Sequence, residues 1–237
     1  MKQSICLVTG WAVGTVPLEN LAKQLTVLGY EIKLLDLPYL VDATQWLASL
    51  AKQLPEKSYW IGWSLGGQLL SQATQYYSEQ CLGLITLASN TCFKAKADWP
   101  TAMEEDIFLS FQQNYMQAPK QTIKRFLQLV AQGGTDTRHL VRQLQQGLVD
   151  NSTAQANAGL ELLAELDTRQ ALRQFKEPQY HLLAEFDALV PSNCSKALLN
   201  LLPEASVELL ENTGHAFPVQ LYPLVAEKVD QFIKANL

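Results

Sequence analysis

Ser64 stands in Gly62-Trp63-Ser64-Leu65-Gly66, a serine with a glycine two residues away on either side. An apolar run, Tyr59-Trp60-Ile61, precedes it, and a helix-forming stretch begins near Gly66. That context gives the spacing its chemical sense. A serine on a sharp strand-to-helix turn presents its hydroxyl above the sheet. Flanking glycines let the backbone bend and leave room for a substrate. The backbone N–H of Leu65, at the helix start, can then stabilise an oxyanion. A serine hydroxyl is a poor nucleophile until a base takes its proton, so this reading requires a histidine and an acid elsewhere in the chain.

Both are present. Asp187 follows the strand-like run Tyr180-His181-Leu182-Leu183-Ala184, and His215 follows Val207-Glu208-Leu209-Leu210. Each sits at the C-terminal end of a strand, the edge of an open parallel sheet where distant residues converge. The order serine, aspartate, histidine is that of α/β hydrolases. His215 can take the Ser64 proton and return it to a leaving alcohol. Asp187 would fix the histidine tautomer and stabilise the imidazolium. Taken singly, each residue has a plain alternative: a turn serine, a helix-capping aspartate, a loop histidine.

The elements that must position these residues alternate along the chain. Strand Ile5–Val8 leads to a helix near Leu18–Leu28, where Leu18, Leu21, Leu25 and Leu28 form one stripe. Strand Glu31–Leu35 is followed by a helix over Asp42–Leu54 with Asp42 as N-cap. Then come the nucleophile strand, a helix over Gly66–Tyr77 and strand Gly83–Ala88. A last helix near Leu221–Ile233 gathers Leu221, Leu224, Val225, Val229, Phe232 and Ile233 on one face. Such alternation predicts an α/β fold, a mostly parallel sheet covered on both faces.

The 237 residues suit one large α/β domain, residues 1–237, and 48% hydrophobic content is ample for its core. The apolar stretch after Met1 is too short for a signal peptide and no run approaches a membrane span, which predicts a cytoplasmic protein that does not enter membranes. Cys6, Cys81, Cys92 and Cys194 are scattered without metal-ligand spacing and read as reduced, mostly buried thiols. The chemistry calls for no cofactor and no metal, and the chain is expected to be a monomer. His181, mid-strand, reads as structural, and His139 as a solvated surface histidine.

From Lys94 to Phe175 the alternation stops. Helical runs such as Ile123–Val130 and His139–Leu148 occur there without strands, which predicts a helical lid, residues 94–175, inserted after the Leu84–Ala88 strand. Between Ile107 and Val149 five basic residues (Lys120, Lys124, Arg125, Arg138, Arg142) face one acid, Asp136, a local +4 in a chain of net −5. Lys120 and Lys124 share a helix face, as do Arg138 and Arg142. Two readings stand: solvated faces, or a docking patch for an acidic partner. Nucleic acid is disfavoured by a pI of about 5.2.

Gly62-Trp63-Ser64-Leu65-Gly66-Gly67 resembles the nucleophile motif of the BioH family, the pimeloyl-acyl-carrier-protein methyl ester esterases of biotin synthesis. So do Leu87-Ala88-Ser89-Asn90-Thr91-Cys92-Phe93, Trp99-Pro100, Phe111-Gln112-Gln113, Arg125-Phe126-Leu127, Gly159-Leu160-Glu161-Leu162-Leu163 and Asp167-Thr168-Arg169-Gln170. The resemblance covers nearly the whole chain, and its matches in the helical insertion are more diagnostic than the triad. It implies a carboxylesterase that cleaves the pimeloyl methyl ester on acyl carrier protein, releasing methanol. By motif match it implies Ser64, Asp187 and His215 as triad, Trp11 and Leu65 as oxyanion hole, and Phe126, Leu127, Gln128, Leu129 and Val130 as the segment lining the acyl site. It also implies Arg125, Arg138 and Arg142, with Lys124 beside them, as contacts to the carrier.

The chain departs from that pattern in places. Thr9-Gly10 stands where the family has His-Gly, Tyr39-Leu40-Val41-Asp42 replaces a Gly-x-Gly-x-Ser after Pro38, and the family's first strand pair is missing. Two further readings remain open at this stage. One is a short-chain carboxylesterase or C–C bond hydrolase on the same fold. The other is a non-catalytic binding protein, against which an intact Ser–Asp–His set argues.

Overall fold

The computed structural model describes residues 2–237. Its chain runs β1 (Ser4–Val8), α1 (Glu19–Val27), β2 (Glu31–Leu35), α2 (Trp46–Ala51), β3 (Ser58–Trp63), α3 (Leu65–Tyr77) and β4 (Cys81–Leu87). Five helices follow without a strand: α4 (Glu105–Gln117), α5 (Pro119–Ala131), α6 (Thr137–Gln146), α7 (Thr153–Glu165) and α8 (Arg169–Gln174). The chain closes with β5 (Gln179–Ala184), α9 (Cys194–Leu201), β6 (Ser206–Leu210), α10 (Phe217–Gln220) and α11 (Tyr222–Ala235).

The six strands form one all-parallel sheet in the order β2-β1-β3-β4-β5-β6. Every residue of β3 is buried. Side chains alternate between faces, so a wholly buried strand needs cover on both, and its sequence reads as a continuous apolar run. The outer strands β2 and β6 carry Glu31, Lys33, Ser206 and Glu208 and are partly exposed, as edges require. The chain leaves β1 to one side for β2, then crosses back to β3 and continues the other way. The crevice outside the strand ends at that reversal, between β1 and β3, is where such sheets bind ligands.

Local corrections have local causes. Leu18, Leu21 and Leu25 are fully buried, but Leu28 is 39% exposed, because α1 ends at Val27 and Gly29, at φ +102°, turns the chain. The helix expected over Asp42–Leu54 is a 3-10 turn, Ala43–Gln45, followed by the short α2. Asp42 does cap it, accepting from the Thr44 amide at 3.0 Å. The run His139–Leu148 is α6, which stops before Gly147, so Leu148 bridges Val13 in extended form instead. In α11 Val225, Val229 and Ile233 are buried while Leu224 stays 38% exposed. All four cysteines are free and buried. Among the described residues no helix is long and apolar enough to cross a membrane.

Candidate active site

Ser64 sits between β3 and α3 at φ 54°, ψ −122°, a conformation that an L-residue holds only when its surroundings impose it. The imposition is visible. A β-carbon on Gly62 would lie 2.4 Å from the Gly67 nitrogen, and one on Gly66 would lie 2.3 Å from the Thr9 carbonyl oxygen. Both positions need glycine because backbone passes through the space. Ser64 N donates to Leu87 O at 2.9 Å, and Ser64 O accepts from Gly67 N at 2.9 Å and from Ser89 Oγ at 2.8 Å. The elbow is fixed on three sides before any substrate arrives.

The loops after β5 and β6 bring the other two residues together. His215 Nδ1 lies 2.8 Å from Asp187 Oδ2, and the two side chains are 1% and 0% exposed. The second carboxylate oxygen, Oδ1, accepts from Leu189 N at 2.8 Å and Val190 N at 2.9 Å. With the carboxylate held by two amides, the aspartate orients the ring so that Nδ1–H donates and Nε2 is left as the basic nitrogen. No hydrogen bond joins Ser64 Oγ to the ring in this structure; such bonds are often long in unliganded sites and tighten around substrate.

Trp63, beside Ser64, supplies a link that the sequence did not announce. Its Nε1 donates to His215 O at 3.0 Å, and its ring centroid lies 5.8 Å from the imidazole. The elbow and the histidine loop are thus tied together across 152 residues of chain. The motif placed Trp63 next to Ser64, but no pattern in it says which loop the indole reaches.

Trp11 and Leu65 flank the elbow. Neither backbone N–H donates to a carbonyl among the described residues. Gly10 packs directly on Ser64: a β-carbon there would be 3.2 Å from Ser64 Cβ. Beyond them lies a small cavity of about 50 Å³ lined by apolar side chains, among them Trp11, Phe108, Phe111, Phe126 and Leu160. Leu189, two residues after Asp187, forms part of its wall. A larger concavity near Phe175, Pro178 and Pro203 lies at the opposite end of β5 and β6.

The structure divides the segment expected to line the acyl site. Phe126 and Leu129 face the cavity, three residues apart on one side of α5. Leu127 and Val130 are buried away from it, and Gln128 points to solvent; a helix cannot turn five consecutive residues the same way. Within 94–175, helices α4, α5 and α7 wall the cavity, whereas α8 packs against α3.

Lys124 and Arg125 on α5 and Arg138 and Arg142 on α6 are all exposed. The two helices pack side by side. None of the four basic residues forms an ion pair among the described residues. Arg125 and Asp106 rim a groove between α4 and α5 that shares Ile107, Phe111 and Leu129 with the apolar cavity. His139 is exposed. His181 is buried, with Nδ1 2.7 Å from Thr86 Oγ1 and Nε2 unpartnered.

Comparison with known proteins agrees with this architecture. Residues 4–220 match the family model of the α/β hydrolase fold. The bromoperoxidase of Bacillus anthracis superposes with a TM-score of 0.88 at 16% identity, covering 99% of this chain and 92% of that one. The esterase EaEST of Exiguobacterium antarcticum gives 0.87 at 18% identity, with 98% and 92% covered. At those identities the likeness is one of fold. The pimeloyl-[acyl-carrier protein] methyl ester esterase of Aeromonas salmonicida is 33% identical over 225 residues, 90% of this chain and 88% of that protein. The biotin biosynthesis bifunctional protein BioHC of Cellvibrio japonicus is 39% identical over 170 residues, 72% of this chain. The chain spans only about a third (34%) of that longer relative. Fold, length and sequence together place the chain in the α/β hydrolases, within the family of the pimeloyl-[acyl-carrier protein] methyl ester esterases.

Proposed function

We propose that this protein hydrolyses the methyl ester of a pimeloyl chain carried on acyl carrier protein, giving the free pimeloyl-carrier acid and methanol. Ser64 Oγ attacks the ester carbonyl as His215 Nε2 takes its proton. The Trp11 and Leu65 amides receive the oxyanion. Collapse expels methanol, protonated by His215, and leaves an acyl-serine. Water, deprotonated by the same nitrogen, then releases the acid and restores Ser64. Asp187, hydrogen-bonded to the ring, steadies the imidazolium.

One observation carries the substrate class: an apolar cavity walled in part by Leu189, two residues after Asp187, shares Ile107, Phe111 and Leu129 with a groove rimmed by Arg125, and Lys124, Arg138 and Arg142 on the adjoining helices α5 and α6 are exposed without acidic partners. A hydrocarbon chain suits the first part and an acidic carrier the second. The acyl carrier protein is the proposed partner, with nucleic acid disfavoured by the net charge of −5. The reaction needs no cofactor, and a cytoplasmic monomer is sufficient for it. The helical insertion, 94–175, acts in this reading as the lid of the site.

The test is hydrolysis of pimeloyl-carrier methyl ester by the purified protein, beside the free dimethyl ester, with complementation of a biotin-requiring strain lacking this esterase. Preference for the carrier-bound ester together with growth supports the proposal. Equal kcat/KM on both esters and no growth would favour a generalist short-chain carboxylesterase.

A further inference from the structure

The loop after β1 is held by the inserted helices as well as by the sheet. Gly14 N donates to Gly147 O at 2.7 Å and Val149 N to Ala12 O at 3.2 Å, around an antiparallel bridge between Val13 and Leu148. Trp11 Nε1 donates to Ala156 O on α7 at 2.8 Å, a buried bond spanning 145 residues. The indole meets Phe126 at 4.9 Å, Tyr115 at 5.4 Å and Phe111 at 5.8 Å between ring centroids, each edge to face. A β-carbon on Gly159 would lie 2.6 Å from Trp11 Cδ1, so α7 closes on the ring only because Gly159 has none. Ala12, the next residue, is at φ +65°, a backbone state that alanine keeps only under restraint.

Trp11 therefore faces two ways. Its amide has no partner and belongs to a loop packed on Ser64, while its side chain is buried among α4, α5 and α7. We propose that the Trp11 indole is a positioning group: bonded to Ala156 and seated in the gap at Gly159, it sets where the Trp11 amide stands relative to Ser64. The inserted helices then define the oxyanion hole together with the loop itself. This rests on the reading of the Trp11 amide as an oxyanion donor in the esterase mechanism above.

The physical reason is that an oxyanion donor helps only if it is in place before charge develops. A displacement of about 1 Å in such a group can cost on the order of 100-fold in rate. The loss has a signature. A donor used mainly in the transition state shows in kcat, whereas a side chain that only lines the acyl cavity shows in KM and in chain-length preference.

Trp11→Phe keeps the amide and most of the ring and removes the Nε1 donor. Assayed on p-nitrophenyl acetate and p-nitrophenyl hexanoate, it is expected to lose about tenfold or more in kcat on both, with KM within about twofold. Gly159→Ala leaves Trp11 intact and adds a good helix former; it is expected to give a comparable kcat loss by pushing the ring. In a Trp11→Ala background the same Gly159→Ala change should cost no further kcat, because the group it displaces is gone. The proposal is overturned if Trp11→Phe keeps wild-type kcat, if its loss is confined to KM on hexanoate, or if Gly159→Ala costs as much without the indole as with it. Ser64→Ala, run in parallel, separates the two layers. Turnover there removes the esterase mechanism itself, while an inactive Ser64→Ala beside a fully active Trp11→Phe removes only the positioning role.

Discussion

A β-carbon on Gly214 would lie 1.8 Å from the carbonyl oxygen of Gln132. Gly214 precedes His215, and Gln132 begins the turn between α5 and α6. Gly133, at φ +82°, packs in the same way on Phe186, beside Asp187. Gln220 Nε2 closes the contact by donating to Thr135 Oγ1 at 2.7 Å. The turn that joins the two basic helices thus rests on both loops of the His215–Asp187 pair. Gly214→Ala must separate them. It is expected to lower stability by about 1–3 kcal/mol, the usual cost of overpacking, and to lower kcat at least tenfold as His215 shifts. Thermal denaturation and ester turnover measure the two effects. Wild-type values for both would mean that the turn yields freely.

Ser64→Ala is expected to abolish esterase activity while the protein stays folded, since the side chain makes no hydrogen bond in the structure. Loss of a nucleophile of this kind costs on the order of 10⁶ in turnover. A mutant retaining a tenth of wild-type rate would remove Ser64 from the mechanism. The backbone adds a second expectation. At φ 54° and ψ −122°, Ser64→Gly should be more stable than Ser64→Ala by about 1 kcal/mol, as the strain is relieved. Urea denaturation of the two inactive variants compares them directly.

His181 makes stability depend on acid. Burial lowers its pKa from 6.5 to about 4. Between those values the unfolded chain binds a proton that the folded protein does not, so stability falls as pH falls. The contribution is complete above about pH 6.5 and is lost toward pH 4, with an upper bound on the order of 3 kcal/mol. His181→Gln should therefore lose less stability than wild type between pH 7 and pH 4.5, whatever its stability at neutral pH. Parallel losses in the two chains would assign the acid sensitivity to other groups.

The basic face is tested by charge reversal. Arg125→Glu, Arg138→Glu and Arg142→Glu together should lower kcat/KM on the carrier-bound ester at least tenfold, roughly 1.4 kcal/mol. The wild-type rate on that substrate should fall with added salt, which screens charges beyond about 8–10 Å at 0.10–0.15 M. Hydrolysis of a short free ester should change by less than about threefold, because Ser64, Asp187 and His215 are undisturbed. Equal loss on both substrates would mean a damaged fold. No loss on either would make the face a solvated one.

The sequence alone determined the parallel α/β sheet and the places of Ser64, Asp187 and His215. Those features are written locally. Apolar runs of strand length, helical stripes and a serine between glycines each declare themselves within about ten residues, and strand ends are the sites that a parallel sheet brings to one edge. The family motif grouped Phe126, Leu127, Gln128, Leu129 and Val130, and it was the structure that divided them, with Phe126 and Leu129 on the cavity and Gln128 exposed. The tertiary structure alone decided that Trp63 reaches the His215 carbonyl, that the Trp11 indole is bound by α7, and that Gly214 meets Gln132. Each of these joins residues more than 80 positions apart. Pattern and propensity fix which face of an element is buried, but not the rotation and approach at which two elements pack, and that is settled only when the side chains of the whole core interlock.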